Sequence, residues 1–287
     1  MITCKELPNH VFESKTDMFQ ALVENMPSIL TLKKDAFKEA DTFSYSVIEA
    51  IKDDEVVKAN KPVMNSDKTE LKVKVVMNTT GLLDSHGDVH IKDIWKRTLS
   101  QSNNKIHLQE HKKEFDKVIA YDSNAYVSNL AWKTLGANFE GTTQALIFES
   151  TVKEGQNKEM FKAYRDANVT NHSVGMRYVD TRYCINSEED WAKDYKSNWD
   201  KYYPMVANKE DADARGYFMA VLEAKLVEGS AVLFGSNSIT PTIDNNMKSE
   251  LDSPSKIEEE ETTKEPEETT PETPQEEQKR TLNLNVI

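Results

Sequence analysis

Cysteine is scarce in this chain: Cys4 and Cys184 are the only two in 287 residues. So sparse a pair cannot form the disulfide framework of a small secreted protein, and it fits a reducing compartment. Long apolar runs are absent as well. No stretch approaches the roughly 20 apolar residues that a membrane-spanning helix needs. The opening "MITCKELPNHVFESK" has no apolar core of a secretory signal. Positive charge is in deficit, with 36 Lys and Arg against 49 Asp and Glu and a net charge of -13. That balance argues against a nucleic-acid partner, which would need a basic face.

The acid is unevenly spread. From Asp252 to Arg280 eleven Asp and Glu stand against four Lys and Arg, a net of -7, and Ile257 is the only apolar residue. Such a segment cannot bury enough apolar surface to offset the entropy of ordering it. Residues 246–287 are therefore expected to be a disordered acidic tail. The closing "TLNLNVI" returns to strand-like alternation and reads either as a ragged end or as a short docking peptide.

Residues 1–45 read as a helical arm, because "DMFQALVENMPSILTLKKDAFKEA" has helical character and is interrupted at Met26-Pro27. Residues 46–245 read as the main domain. Within it "ELKVKVVMNT" alternates Leu71, Val73, Val75 and Met77 against Lys72, Lys74 and Asn78, the pattern of a half-buried strand. "IKDIWKRTLSQ" spaces Ile91, Ile94, Trp95 and Leu99 for a short amphipathic helix. "AYVSNLAWKTL" and "TTQALIFESTV" read as strands, and "NKEMFKAYRDAN" as a helix. The polar, aromatic-studded stretch at about 187–215 reads as a helical insertion on the surface. "YFMAVLEAKLVEGSAVLFGSN" closes the domain as one or two strands. The irregular alternation predicts an α+β fold built on a curled mixed sheet or barrel flanked by helices.

"NVTNHSVGMRYV", Asn168 to Val179, is a β-forming run with a serine inside it. Strand side chains alternate faces, so Ser173, Gly175 and Arg177 share one side while His172, Val174, Met176 and Tyr178 share the other. The adjacent His172 therefore cannot serve Ser173 as a base. A serine nucleophile needs a base within hydrogen-bond reach and a group that orients that base. The histidines available are His10, His86, His90, His107, His111 and His172. Taken alone, Ser173 is a small residue where backbones pass closely, His111 a solvated histidine in "EHKKEFDK", and Glu228 an edge carboxylate in an apolar setting, "LVEGSAVL".

Blocks in the order "GLLDSHGDVH", "QEHKKEFDKVIA", "NHSVGM" and "AKLVEGSAVLFGSN" resemble the prohead serine proteases of tailed phages. The resemblance spans roughly Leu71 to Thr242 and lies in order and spacing. Where that family has a Pro-Ile-Gly turn after its histidine, this chain has Val118-Ile119-Ala120. The resemblance implies Ser173 as nucleophile, His111 as general base and Glu228 as the group orienting His111. It also implies a fold similar to the herpesvirus assemblins, a curled β-barrel flanked by helices. Arg177 is a candidate for polarising a carbonyl or a plain surface charge, and Asp88 is assigned to a turn or cap. No cofactor and no metal are implied. The substrates would be the major capsid protein, the scaffold and the protease itself, inside the immature procapsid in the host cytoplasm. Contact with the portal or shell would follow, and self-association stays open.

Two other readings stay open. "HLQEH" matches the H-x-x-E-H pattern of inverted zinc peptidases, with His107 and His111 as ligands, Glu110 as base and Glu188 or Glu189 as a third ligand. That geometry requires a helix, whereas "NNKIHLQ" alternates like a strand. A capsid scaffolding or assembly protein without catalysis would account for the acidic tail and the helical insertion, but it has no need of Ser173, His111 and Glu228 together.

Overall fold

The first helix begins where Ser14 caps it. The Ser14 hydroxyl accepts from the Asp17 amide at 3.1 Å, and the Asp17 carboxylate accepts from the Ser14 amide at 3.2 Å, a reciprocal capping box. In this computed structural model the described residues are 1–35, 38–39, 45–49 and 69–233. They lie within the unit Met1–Ser255. The acidic tail assigned to 246–287, the closing "TLNLNVI" and the end of the fourth motif block after Leu233 fall outside the described residues.

Helix α1 (Lys15–Glu24) stops at Asn25, whose amide and side chain both bond the Ala21 carbonyl. Helix α2 (Met26–Asp35) then starts with Pro27 in its first turn, where a missing N–H costs nothing. The break is thus at the expected place, and proline opens the second helix. Leu22, Phe19, Met18 and Ile29 of this pair pack against Tyr183, Tyr217 and Met219.

The strands are β1 (Lys38–Glu39), β2 (Tyr45–Glu49), β3 (Glu70–Thr79), β4 (Asp88–His90), β5 (Asn104–Gln109), β6 (Val118–Ala131), β7 (Thr142–Lys153), β8 (Asn171–Ile185) and β9 (Tyr217–Val232). They form a mixed sheet in the order β1-β8-β9-β5-β6-β7-β3-β2, with β4 beside β9. β5 runs parallel to β9 and antiparallel to β6. The path ends at β1 and β2, which do not pair with each other among the described residues. The barrel alternative is therefore corrected to an open sheet: the end strands are two and five residues long, and among the described residues each pairs on one side only. The sheet nevertheless bends round on itself. β3 and β8 lie far apart in strand order, yet Leu71, Val73, Val75 and Met77 share one core cluster with Val174, Met176 and Tyr178.

β3 departs from simple alternation. Its first half follows the pattern, but Val76 and Asn78 are buried too, because β3 is covered on both faces there. Helix α4 (Lys158–Arg165) falls where periodicity places it, whereas α3 (Lys96–Gln101) covers only the second half of its expected stretch, with Ile91 ahead of it and Ile94 and Trp95 in the preceding turn. Asn157 caps α4 by accepting from the Met160 amide at 3.1 Å, and Met160, Phe161 and Tyr164 face the core. Between β8 and β9 the chain forms α5 (Lys193–Tyr202) and α6 (Lys209–Arg215), ending at Gly216 in the left-handed conformation. This connection is more than surface decoration. Trp199 and Tyr202 are buried against Phe218 and Ala220 of β9, where burying large aromatic area stabilises the docking. No helix among the described residues is long and apolar enough to cross a membrane.

Candidate active site

The β8–β9 ladder is the frame of the site. Its register sets Ser173 opposite Ser230, Val174 opposite Gly229 and Gly175 opposite Glu228. Directly opposed residues of an antiparallel pair point to the same face, so Ser173, Ser230 and Glu228 share a face. The other face carries Val174, Met176 and Tyr178 into the core. Gly229 has no room for a side chain: a Cβ there would lie 2.7 Å from the Phe148 ring and 2.8 Å from the end of Met77. A glycine between Glu228 and Ser230 lets the sheet sit tight against that core.

His111 reaches the same face from the end of β5. Glu110 and His111 both adopt left-handed backbone angles, φ 52° and 54°. Consecutive non-glycine residues in that region are strained and need the surroundings to hold them. β9 supplies the hold: Ala231 O accepts from the Glu110 amide at 2.9 Å, and Ser230 Oγ accepts from the His111 amide at 3.1 Å. The Glu110 carboxylate in turn accepts from the Leu233 amide at 2.5 Å.

So placed, His111 Nδ1 lies 2.7 Å from Glu228 Oε1. A carboxylate only accepts, so Nδ1 carries the proton and Nε2 is left as the basic nitrogen. The second oxygen, Glu228 Oε2, accepts from Ser230 Oγ at 2.7 Å. The side chains of His111 and Glu228 are 8% and 3% exposed, and low exposure strengthens such a pair. Ser173 is 5% exposed, and its Oγ is buried without a hydrogen-bond partner among the described residues. The structure thus brings His111 and Glu228 into direct contact and sets Ser173 across the ladder from Ser230, the residue that joins them. Ser230 was not singled out in the sequence. Its signal was the Glu-x-Ser spacing, which puts it on one strand face with Glu228.

His172, on the opposite face from Ser173, belongs to a buried polar chain. Tyr164 Oη lies 2.9 Å from His172 Nε2 and 3.2 Å from His107 Nε2. His107 Nδ1 lies 3.1 Å from Ser150 Oγ, which donates to Ser123 Oγ at 2.7 Å. With the Ser150 proton directed at Ser123, His107 donates through Nδ1 and accepts from Tyr164 at Nε2, and His172 donates to Tyr164. Burial pushes His107 down to about 3 and, with His107 nearby as a second contributor, holds His172 well below the usual histidine range. Both stay neutral at neutral pH and tie β5, β7, α4 and β8 together behind the site.

This arrangement corrects the zinc alternative. Residues 104–109 form a strand and not a helix, so His107 points into the buried chain while His111 turns the corner to Glu228. Glu188 lies on the β8–β9 connection, paired with Lys196 at 3.3 Å. Among the described residues no three His, Cys, Asp or Glu side chains are grouped to hold a metal.

Asp88 also differs from expectation. Asp84 holds the turn, its carboxylate accepting from the amides of His86 and Asp88 at 2.9 and 2.8 Å. Asp88 is instead buried in an ion pair with Lys33 of α2, and it accepts from Tyr178 Oη at 2.8 Å. Tyr178 lies 3.4 Å from His90 Nε2, and His90 Nδ1 accepts from Asn78 at 3.0 Å. Burial pushes His90 down to about 4, partly opposed by the Asp88 charge. Arg177 is exposed on the strand that carries Ser173. No known protein family, curated protein or solved structure matches the chain.

Proposed function

We propose that the chain is a serine endopeptidase of the prohead maturation kind. One observation carries the reading: a buried His111–Glu228 pair at 2.7 Å stands on the strand face that also presents the Ser173 hydroxyl. A histidine oriented through Nδ1 by a carboxylate, beside a serine on a rigid strand, is the arrangement acyl transfer needs.

In this reading Ser173 Oγ attacks the scissile carbonyl and its proton passes to His111 Nε2. Glu228 stabilises the imidazolium through the Nδ1–H bond. The C–N bond then breaks, the departing amine takes the proton from His111, and water, deprotonated by the same nitrogen, releases the acyl group. The residues named need no cofactor for these steps. The substrates we assign are capsid and scaffold proteins and the chain itself, within the immature shell. The bent sheet with its shared β3–β8 core supports an assemblin-like architecture, and we assign recruitment to the acidic segment 246–287.

The test is co-expression with the capsid protein of the same genome, with mass spectrometry of the fragments. The expected result is discrete cleavage by the wild type, none by Ser173→Ala, and no effect of EDTA. Cleavage retained in Ser173→Ala, or activity lost in EDTA and restored by zinc, overturns the proposal.

A further inference from the structure

We infer that Ser230 is a positioning residue that locks the His111–Glu228 pair in its working geometry; the inference rests on the endopeptidase reading above. Ser230 is the most enclosed member of the cluster, 0% exposed. Its hydroxyl is used in both directions. It donates to Glu228 Oε2 at 2.7 Å and accepts from the His111 backbone amide at 3.1 Å. One oxygen therefore fixes both ends of the His111–Glu228 contact, the carboxylate plane and the turn that carries the imidazole.

The turn needs that hold. With φ at 52° and 54°, Glu110 and His111 sit in a conformation that side-chain-bearing residues rarely adopt. A local strain of this kind persists only where the surroundings over-determine it. The parallel β5–β9 pairing brings Leu108 level with Ser230 and Gln109 level with Ala231. It delivers the chain to the turn, and the Ser230 and Ala231 oxygens then capture successive amides. Removing the Ser230 hydroxyl leaves one strained amide without its acceptor and the carboxylate held at Oε1 alone. Ser173 faces Ser230 across the ladder, so a shift of the pair alters the approach of His111 to the nucleophile. Small misplacements of a catalytic group are costly in rate.

The test compares the full-length chain with Ser230→Ala, using a fluorophosphonate probe that reports nucleophile activation without a peptide substrate. In the labelling step Ser173 Oγ bonds to phosphorus as the P–F bond breaks. Fluoride leaves, and the hydroxyl proton passes to His111 Nε2. A second readout is the Nδ1–H resonance of His111 in protein labelled with ¹⁵N-histidine, which a purely structural role elsewhere would not move. We expect Ser230→Ala to keep its secondary structure, to be labelled at least about tenfold more slowly, and to lose or broaden the His111 resonance. Ser230→Cys, which keeps a weak donor, should fall between the two and carries the test if Ser230→Ala does not fold. Labelling within about twofold of wild type overturns the inference, as does a slowed rate with the His111 resonance unchanged. A wild type that is not labelled while Ser230→Ala still loses the resonance refutes the endopeptidase reading and leaves the positioning role standing. No label and no change in the resonance refutes both.

Discussion

Ser173 and Ser230 face each other across the β8–β9 ladder, and only one of the two hydroxyls is engaged. Ser230 bonds Glu228 and the His111 amide, whereas Ser173 Oγ has no partner among the described residues. A buried hydroxyl without a partner is costly for folding; in the proposed mechanism its bond to His111 Nε2 forms once substrate is bound. Several consequences can be measured.

Ser173, His111 and Glu228 are expected to act as one unit. Ser173→Ala and His111→Ala should each reduce kcat/KM on a cleaved capsid peptide by on the order of 10⁴ or more. The double variant should be no worse, because members of a catalytic unit are strongly non-additive. Additive losses in the double variant would place His111 outside the chemistry.

Gly229→Ala should destabilise the fold by about 1–3 kcal/mol, the usual cost of overpacking a filled core. The added methyl meets the buried Phe148 ring at 2.7 Å, and relief requires β9 to shift between Glu228 and Ser230. Urea denaturation and the cleavage rate should therefore fall together. A variant as stable as wild type would mean that Phe148 and Met77 give way easily.

The N-terminal helices are latched by a charge. Lys33→Met leaves Asp88 buried with Tyr178 and its backbone contacts but no counter-charge. Breaking one side of a buried pair costs about 3–5 kcal/mol. The expected outcome is a lowered melting temperature, with early proteolysis within residues 1–35 during limited digestion. An unchanged digestion pattern would show that the apolar contacts of Leu22 and Phe19 suffice.

Acid should weaken the protein as pH falls below the ordinary histidine range. His90, His107 and His172 are buried and neutral, with the first two held at about 4 and about 3 against an ordinary 6.5. Because their folded values are depressed, the unfolded chain takes up protons first as pH falls below 6.5. Stability is thus complete above that value and is lost on the way down to about 4 and below. Each histidine contributes a slope of about 1.4 kcal/mol per pH unit. Urea midpoints at pH 7, 6 and 5 check this, and a flat profile would mean that the buried histidines find solvent on protonation.

Local pattern made much of this architecture readable, and its limits are physical. β3, β7 and α4 announce themselves by period, the helix break by Pro27, and the opposite facing of His172 and Ser173 by strand alternation. What local pattern does not carry is the partner of a strand. The place of Ser230 depends on the β8–β9 register and on the parallel arrival of β5, contacts between residues more than fifty positions apart. The roles of Asp84 and Asp88 could not be separated, because the Lys33 that pairs with Asp88 lies 55 residues away. The polar look of the β8–β9 connection hid Trp199 and Tyr202, whose burial is decided by Phe218 on the following strand.

The proposed catalysis stands on Ser173 as a nucleophile activated by His111. The most direct measurement is intact-mass analysis of the full-length chain after exposure to a fluorophosphonate, with peptide mapping of the adduct. A single adduct on Ser173 is expected in the wild type, none in Ser173→Ala, and labelling slowed by on the order of a thousandfold in His111→Ala, as loss of the base implies. An unlabelled wild type, an adduct on another serine, or a His111→Ala variant labelled at the wild-type rate would contradict the proposed catalysis.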